Sequence, residues 1–136
     1  MNAQTAHFQL LLQAARSQPE PQRLLFVFAA AALPADASPE QQARFEAGEG
    51  GELEPVMCVD KDPLAVKDFA ALTAESLENG SAWQVVFVAG LSGRGQVAPS
   101  ESDTEHAINT MVEAVRLGNF GRYAAYDVQG EPLAFS

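Results

Sequence analysis

Asp60-Lys61-Asp62 and Ser92-Gly93-Arg94-Gly95-Gln96 are the two stretches of this sequence whose residue types could carry chemistry together. Each follows an apolar run that reads as a strand, Leu53 to Val59 before the first and Trp83 to Leu91 before the second. In a parallel sheet, ligands bind outside the carboxyl ends of the strands. The two loops, with Leu33 to Asp36 after an earlier apolar run, would then gather over one end of the sheet. A glycine-flanked Arg94 can offer its guanidinium and nearby backbone N–H groups to a phosphate or carboxylate, and Ser92 adds a hydroxyl. Lys61 supplies a second cation, while Asp60 and Asp62 are hard oxygen ligands of the kind that hold Mg²⁺. The ligand-binding expectation is therefore Asp60, Lys61, Asp62, Ser92 and Arg94, for an anionic metabolite or phosphate. No metal or cofactor is assigned. The second loop has neither a G-x-G-x-x-G fingerprint nor a P-loop Lys-Ser/Thr, and Asp62 before Pro63 has an ordinary role as a helix N-cap, worth about 1 kcal/mol.

The run VMCVDKDP (Val56 to Pro63) is similar to the strand-then-DxD start of haloacid-dehalogenase-like phosphatases, in which the first Asp is the nucleophile. Pro63 replaces that family's Thr or Val, and the chain is small for that fold. Elsewhere, Cys58 lies in an apolar run and reads as a buried, inert thiol. His7 and His106 fall on predicted helix surfaces with no second His or Cys at ligand spacing, so no zinc site forms. No G-x-S-x-G elbow is present. Tyr123 and Tyr126 sit three apart in an extended segment, on opposite faces, and make no stacking platform. No set of residues reads as catalytic.

The elements that position these residues follow from periodicity. Phe8, Leu11, Leu12 and Ala15 fall at i, i+3, i+4 and i+7, which predicts a helix from Gln4 or Thr5 to Ser17, stopped by Pro19 and Pro21. Leu24 to Ala30 is apolar without alternation and predicts a central strand covered on both faces. Ser38-Pro39-Glu40-Gln41 is a capping box with proline at N1, opening a short helix toward Gly48. Leu53 to Val59 is a second strand, less central because of Pro55. Asp62-Pro63 opens a helix to Asn79, with Val66, Phe69, Ala70 and Leu77 on one face and Gly80 beyond its end. After the strand from Trp83 to Leu91, Ser102-Asp103-Thr104-Glu105 caps a helix carrying Ile108, Met111, Val112 and Val115. The end reads as a hairpin, Tyr123 to Val128 and Glu131 to Phe135, turning at Gln129-Gly130.

Strands alternating with helices favour an α/β fold over residues 1–136 as a single domain: a mainly parallel or mixed sheet of about five strands, layered by about four helices, with a C-terminal antiparallel hairpin. The alternative is an α+β fold in which the first two strands are antiparallel neighbours and the helix after Ser38 is a surface excursion.

With 136 residues, about two thirds of the unfolded chain's surface is buried on folding. Charge is lopsided: 8 Lys+Arg against 18 Asp+Glu give −10, with only two lysines, Lys61 and Lys67. Such an acidic chain repels phosphate backbones, which argues against nucleic acid as a partner. The acids cluster as Glu46, Glu49, Glu52 and Glu54, and as Glu101, Asp103 and Glu105, a pattern that suits a basic protein partner. Cys58 has no second cysteine to pair with, so a reducing cytoplasm is the expected compartment. No apolar run reaches the roughly 20 residues that cross a bilayer, and no membrane association is expected. Leu24 to Leu33 imitates a signal-peptide core, but the amphipathic segment before it favours a buried strand.

The runs PEPQRLLFVFA (Pro19 to Ala29), RFEAGEGGELEPVMCVDK (Arg44 to Lys61) and VFVAGLSGRG (Val86 to Gly95) resemble a group of short uncharacterised bacterial proteins, some labelled ribonucleotide reductase alpha subunit. That enzyme needs a radical-bearing cysteine and a redox-active pair, whereas this chain has Cys58 alone. The resemblance therefore implies no transferable activity or site residue, and at most an accessory protein. The function expected from the sequence is that of a small acidic, non-catalytic interaction or regulatory domain. Self-association into a homo-oligomer would cover Leu133 and Phe135 of the last hairpin. The alternative is a binding protein or small enzyme for an anionic metabolite, working at the strand ends.

Overall fold

The computed structural model describes residues 6–32, 36–46, 52–78 and 82–133. In chain order the elements are α1 (Ala6–Arg16), β1 (Gln22–Ala32), α2 (Pro39–Glu46), β2 (Glu52–Lys61), a single 3₁₀ turn (Pro63–Ala65), α3 (Phe69–Glu78), β3 (Val85–Ser92), α4 (Glu101–Arg116) and β4 (Ala124–Asp127). The strands form one sheet in the order β2-β1-β3-β4. Every neighbouring pair is antiparallel. The fold is therefore α+β, and the expected parallel or mixed five-stranded sheet is corrected to four antiparallel strands.

For the β1–β2 pair the cause of the correction lies in α2. A crossover helix between parallel strands must bury an apolar stripe on the sheet, and α2, Pro-Glu-Gln-Gln-Ala-Arg-Phe-Glu, has only Ala43 and Phe45, two apart and therefore not on one stripe. Its described side chains are all exposed. Ser38 and Gln41 still make the reciprocal capping box, with Gln41 N–H donating to Ser38 Oγ and Ser38 N–H to Gln41 Oε1. The helix thus rides outside the connection, and β1 and β2 close as a long hairpin, Leu24 opposite Lys61 and Ala32 opposite Glu52. β3 then pairs with the other side of β1, with Gln22 opposite Ser92.

β1 is the centre of the molecule. Leu24, Phe26 and Phe28 point to one face, where Phe8 and Leu12 of α1, Val66, and Phe69 and Leu72 of α3 cover them. Leu25, Val27 and Ala29 point to the other, beneath Met111 and Val115 of α4. Each such side chain fully buried contributes about 1.5–3 kcal/mol, which explains a strand that is apolar without alternation. On the first face Phe8 meets Phe69 and Tyr126 edge-on, at centroid distances of 5.2 and 5.5 Å. Among the described residues, no helix is long and apolar enough to cross a membrane.

Two elements differ locally from expectation. The helix predicted from Pro63 to Asn79 is split. Asp62 caps only the 3₁₀ turn, accepting from Leu64 N–H at 2.8 Å, and Val66 is extended at φ −96°, ψ 112°. Val66 turns into the core, while Arg16 donates to the Pro63 and Val66 carbonyls. A second cap, Asp68, then accepts from Ala71 N–H and starts α3. The restart changes the helix phase, so Phe69, Leu72 and Ser76 are buried while Leu77 is exposed. At the C-terminus, among the described residues, the second arm of the expected hairpin is one bridge, Tyr126 to Pro132. Leu133 packs on the chain's own core, so it does not need a second copy to cover it; Phe135 and the clustered Glu49 lie outside the described residues.

Candidate functional site

The residues expected to bind a ligand are held apart. The carboxyl ends of β2 and β3 lie at the same end of the sheet, beside the start of β1. The end of β1, which leads to Asp36, is at the opposite end. Successive residues of a strand face opposite ways, so Asp60 and Lys61 are on different faces. On the α4 face Asp60 accepts from Arg23 Nε at 2.6 Å. On the α3 face Lys61 pairs with Glu75 at 2.7 Å. Asp62 is committed to its cap, and Ser92 Oγ accepts from Gln22 Nε2 at 2.8 Å. Arg94 is exposed in a tight turn closed by paired backbone hydrogen bonds with Val97, each 2.9 Å. Gly93 is required by that turn, because a Cβ there would lie 2.0 Å from the Val97 carbonyl oxygen.

Two clefts flank α4. Its first turn is capped by Ser100, whose Oγ accepts from Asp103 N–H. This cap lies two residues before the expected Ser102 because the extended loop ends earlier. The rows Glu101, Thr104, Glu105 and Ile108 border a cleft of about 790 Å³ toward β2, which also includes the Arg23–Asp60 pair and Cys58. Cys58 is exposed there, correcting the expectation of a buried thiol: β2 is an edge strand, and α4 does not close over it. Of the cluster Glu101, Asp103 and Glu105, Glu101 and Glu105 line this flank, and the acids of the first turn, Glu101 and Asp103, favour the helix N-terminus electrostatically. No group of acidic, His or Cys residues that could hold a metal is present among the described residues.

The neighbouring row, His106, Ala107, Thr110 and Met111, borders a second cleft of about 740 Å³. Its far wall is Leu11, Ala14 and Ala15 of α1, and Arg122 and Tyr123 stand at the entry to β4. No aspartate or glutamate lines it among the described residues. Arg122 is exposed and has no ion-pair partner among them.

The floor of this cleft is an open sheet edge. Gly93 N–H donates to the Pro21 carbonyl within the β1–β3 register. In an antiparallel ladder the bonding direction alternates by residue, so Ala89 and Leu91 direct their backbone groups to β1. Val86, Val88 and Gly90 direct theirs outward. β4 takes up Val86 opposite Tyr126 and Val88 opposite Ala124, and there it stops. Gly90 N–H and C=O are left facing the cleft. Glycine inside a strand is destabilising by roughly 0.5–1 kcal/mol relative to alanine, and the described fold does not ask for one here. A Cβ at Gly90 would meet only Gln22 Oε1, at 3.8 Å, and its φ is not positive.

β4 is firmly held where it ends the cleft. Tyr126 is wholly buried, its hydroxyl hydrogen-bonded to His7 Nδ1 at 2.7 Å, and burial pushes its phenol up from 10.0 to about 12. Gly90, His106, Thr110 and Arg122 were not candidates from the sequence; the available signal was the lone glycine in Trp83 to Leu91, which marks a bulge or a close approach of another backbone. No protein-family model, curated protein or solved structure matches this chain.

Proposed function

We propose that this domain acts by binding a protein partner, and that the acid-free cleft beside β3 is its working surface. The observation that carries this reading is the polarity of the cleft. In a chain with 18 acids and 8 cations, a concavity of this size holds Arg122 and His106 and, among the described residues, no acid. Apolar walls with a few polar groups at the rim are what recognition sites share. The strand-end anion site has less support, since Asp60 and Lys61 are engaged on opposite faces with Arg23 and Glu75. The acid-lined flank favours a second reading, a basic partner, because Glu101 and Glu105 border a cleft of similar size.

Affinity capture with the wild type, Thr110→Glu and the double variant Glu101→Gln/Glu105→Gln tests both. Thr110 and the two glutamates are exposed, so all three proteins should fold alike by circular dichroism. Partners lost with Thr110→Glu alone support the acid-free cleft. Partners lost only with the glutamine variant, and released by salt, transfer the function to the acidic flank. A thermal shift with a nucleotide or sugar phosphate, and no captured protein, would favour the metabolite reading instead.

A further inference from the structure

We infer that the cleft beside β3 takes an extended acidic peptide segment of a partner, which adds to the sheet as a strand in line with β4 and places a carboxylate against Arg122. The inference rests on the proposed working surface and names its occupant. Sheet edges left unpaired recruit extended chains through their backbone groups, while pockets for alternate side chains select the sequence. β3 extends to Ser92, but β4 stops opposite Val88. Ala89 to Ser92 is therefore open for about 13 Å at the usual 3.3–3.4 Å per residue, room for a segment of about four residues.

The walls match such a segment. Side chains of an added strand alternate, one set meeting Leu11, Ala14 and Ala15 of α1 and the other meeting Ala107 and Thr110 of α4. Small residues on both walls leave room for apolar side chains. At Gly90 the absent Cβ lets a second backbone come close at the residue whose N–H and C=O point outward. The choice of an acidic segment follows from charge. Arg122 has no ion-pair partner among the described residues, His106 stands across the cleft, and a guanidinium facing a carboxylate makes a charge-assisted bond. A basic segment would find no anion in this lining.

The probe is a synthetic peptide array: hexamers alternating Val or Leu with Ser, each carrying one Glu, and the same set with Gln or Lys in its place. Binding of the full chain is measured by fluorescence anisotropy, and Gly90 amide exchange by NMR. The expected result is binding of Glu peptides about tenfold tighter than their Gln counterparts, with the preference abolished by Arg122→Gln. The Gly90 amide should exchange freely in the unbound protein and at least tenfold more slowly in the complex. Backbone N-methylation at alternate peptide positions should weaken binding at least tenfold. Binding that leaves Gly90 exchange unchanged would overturn strand addition, and equal binding of Glu, Gln and Lys peptides would overturn the acidic anchor. An array with no binder overturns the inference while leaving the working surface standing, provided Thr110→Glu still loses captured partners. If Gly90→Pro is used to block the edge and fails to fold, the exchange and N-methyl measurements on the wild type decide alone.

Discussion

The two clefts along α4 are nearly equal in size, about 740 and 790 Å³, and opposite in character. One row of the helix, Glu101, Thr104, Glu105 and Ile108, borders an acidic cleft beside the edge strand β2. The next row, His106, Ala107, Thr110 and Met111, borders an acid-free cleft beside the unfinished edge of β3. Residues three and four apart share a helix face, so a shift of one or two positions is enough to separate the two chemistries. A net charge of −10 thus describes neither cleft. What a partner meets depends on which flank it approaches.

Removing the shared support should have the largest effect. Met111 is buried under α4 at 1% exposure, and Met111→Ala should destabilise the fold by about 3 kcal/mol in urea unfolding. A loss below about 1 kcal/mol would mean that α4 is not seated on the sheet as described, and the contrast between its flanks would dissolve. Tyr126→Phe acts only on the β4 side. It loses the His7 hydrogen bond, about 1 kcal/mol near neutral pH. Because the folded phenol titrates at about 12 against 10.0, the stability from keeping it protonated is complete below pH 10 and is lost as pH rises through about 12. The variant should flatten that alkaline decline, and an identical pH profile would count against a buried Tyr126.

A similar loss of about 1 kcal/mol is expected for Ser100→Ala, which removes the α4 cap. Its amide shifts should concentrate at Glu101 to Glu105 and spare Thr110 and Arg122; equal shifts along both rows would show the two flanks to be one unit. The smallest effect belongs to Arg23→Gln. With its two side chains 37% and 34% exposed, the Arg23–Asp60 pair is screened by water and is worth at most about 1 kcal/mol. That difference should shrink in about 0.5 M salt, and a loss that persists there would indicate a packing role for Arg23 instead.

Much of the scaffold was legible because local periodicity and core burial agree. Phe8, Leu12, Met111 and Val115 lie in the core as their spacing predicts, and the unbroken apolar run of β1 matches a strand covered on both sides. Pro55 anticipated an edge strand. Sheet direction was not legible from alternation of elements alone: α2 buries no stripe on the sheet, but α4 does so through Met111 and Val115 and still joins the antiparallel strands β3 and β4. The polar α2 sequence held that information only for β1 and β2, where it pointed to the α+β alternative. The strand-end site failed with the parallel sheet on which it was built. The acid-free cleft arises from a mismatch in strand length, β4 ending opposite Val88 while β3 runs on to Ser92. Such a mismatch has no local signature beyond Gly90 itself.

In the β1–β2 hairpin Phe28 lies opposite Met57 and Ala29 opposite Pro55, so Val56 bulges out of the edge strand without a partner across the ladder, with a consequence for how these molecules meet at high concentration. Runaway stacking of sheets into fibrils needs two receptive rims per molecule, one to give and one to receive. On the β2 rim Pro55 brings no N–H, and the register slips beside it between Phe28 and Ala29. On the β4 rim, the Ala125 carbonyl and Asp127 N–H are already taken by Leu133 and Glu131. Among the described residues, a molecule that accepted a visitor at the short gap beside Gly90 would offer the next copy only these interrupted rims. These interruptions disfavour edge-to-edge growth of one copy on another.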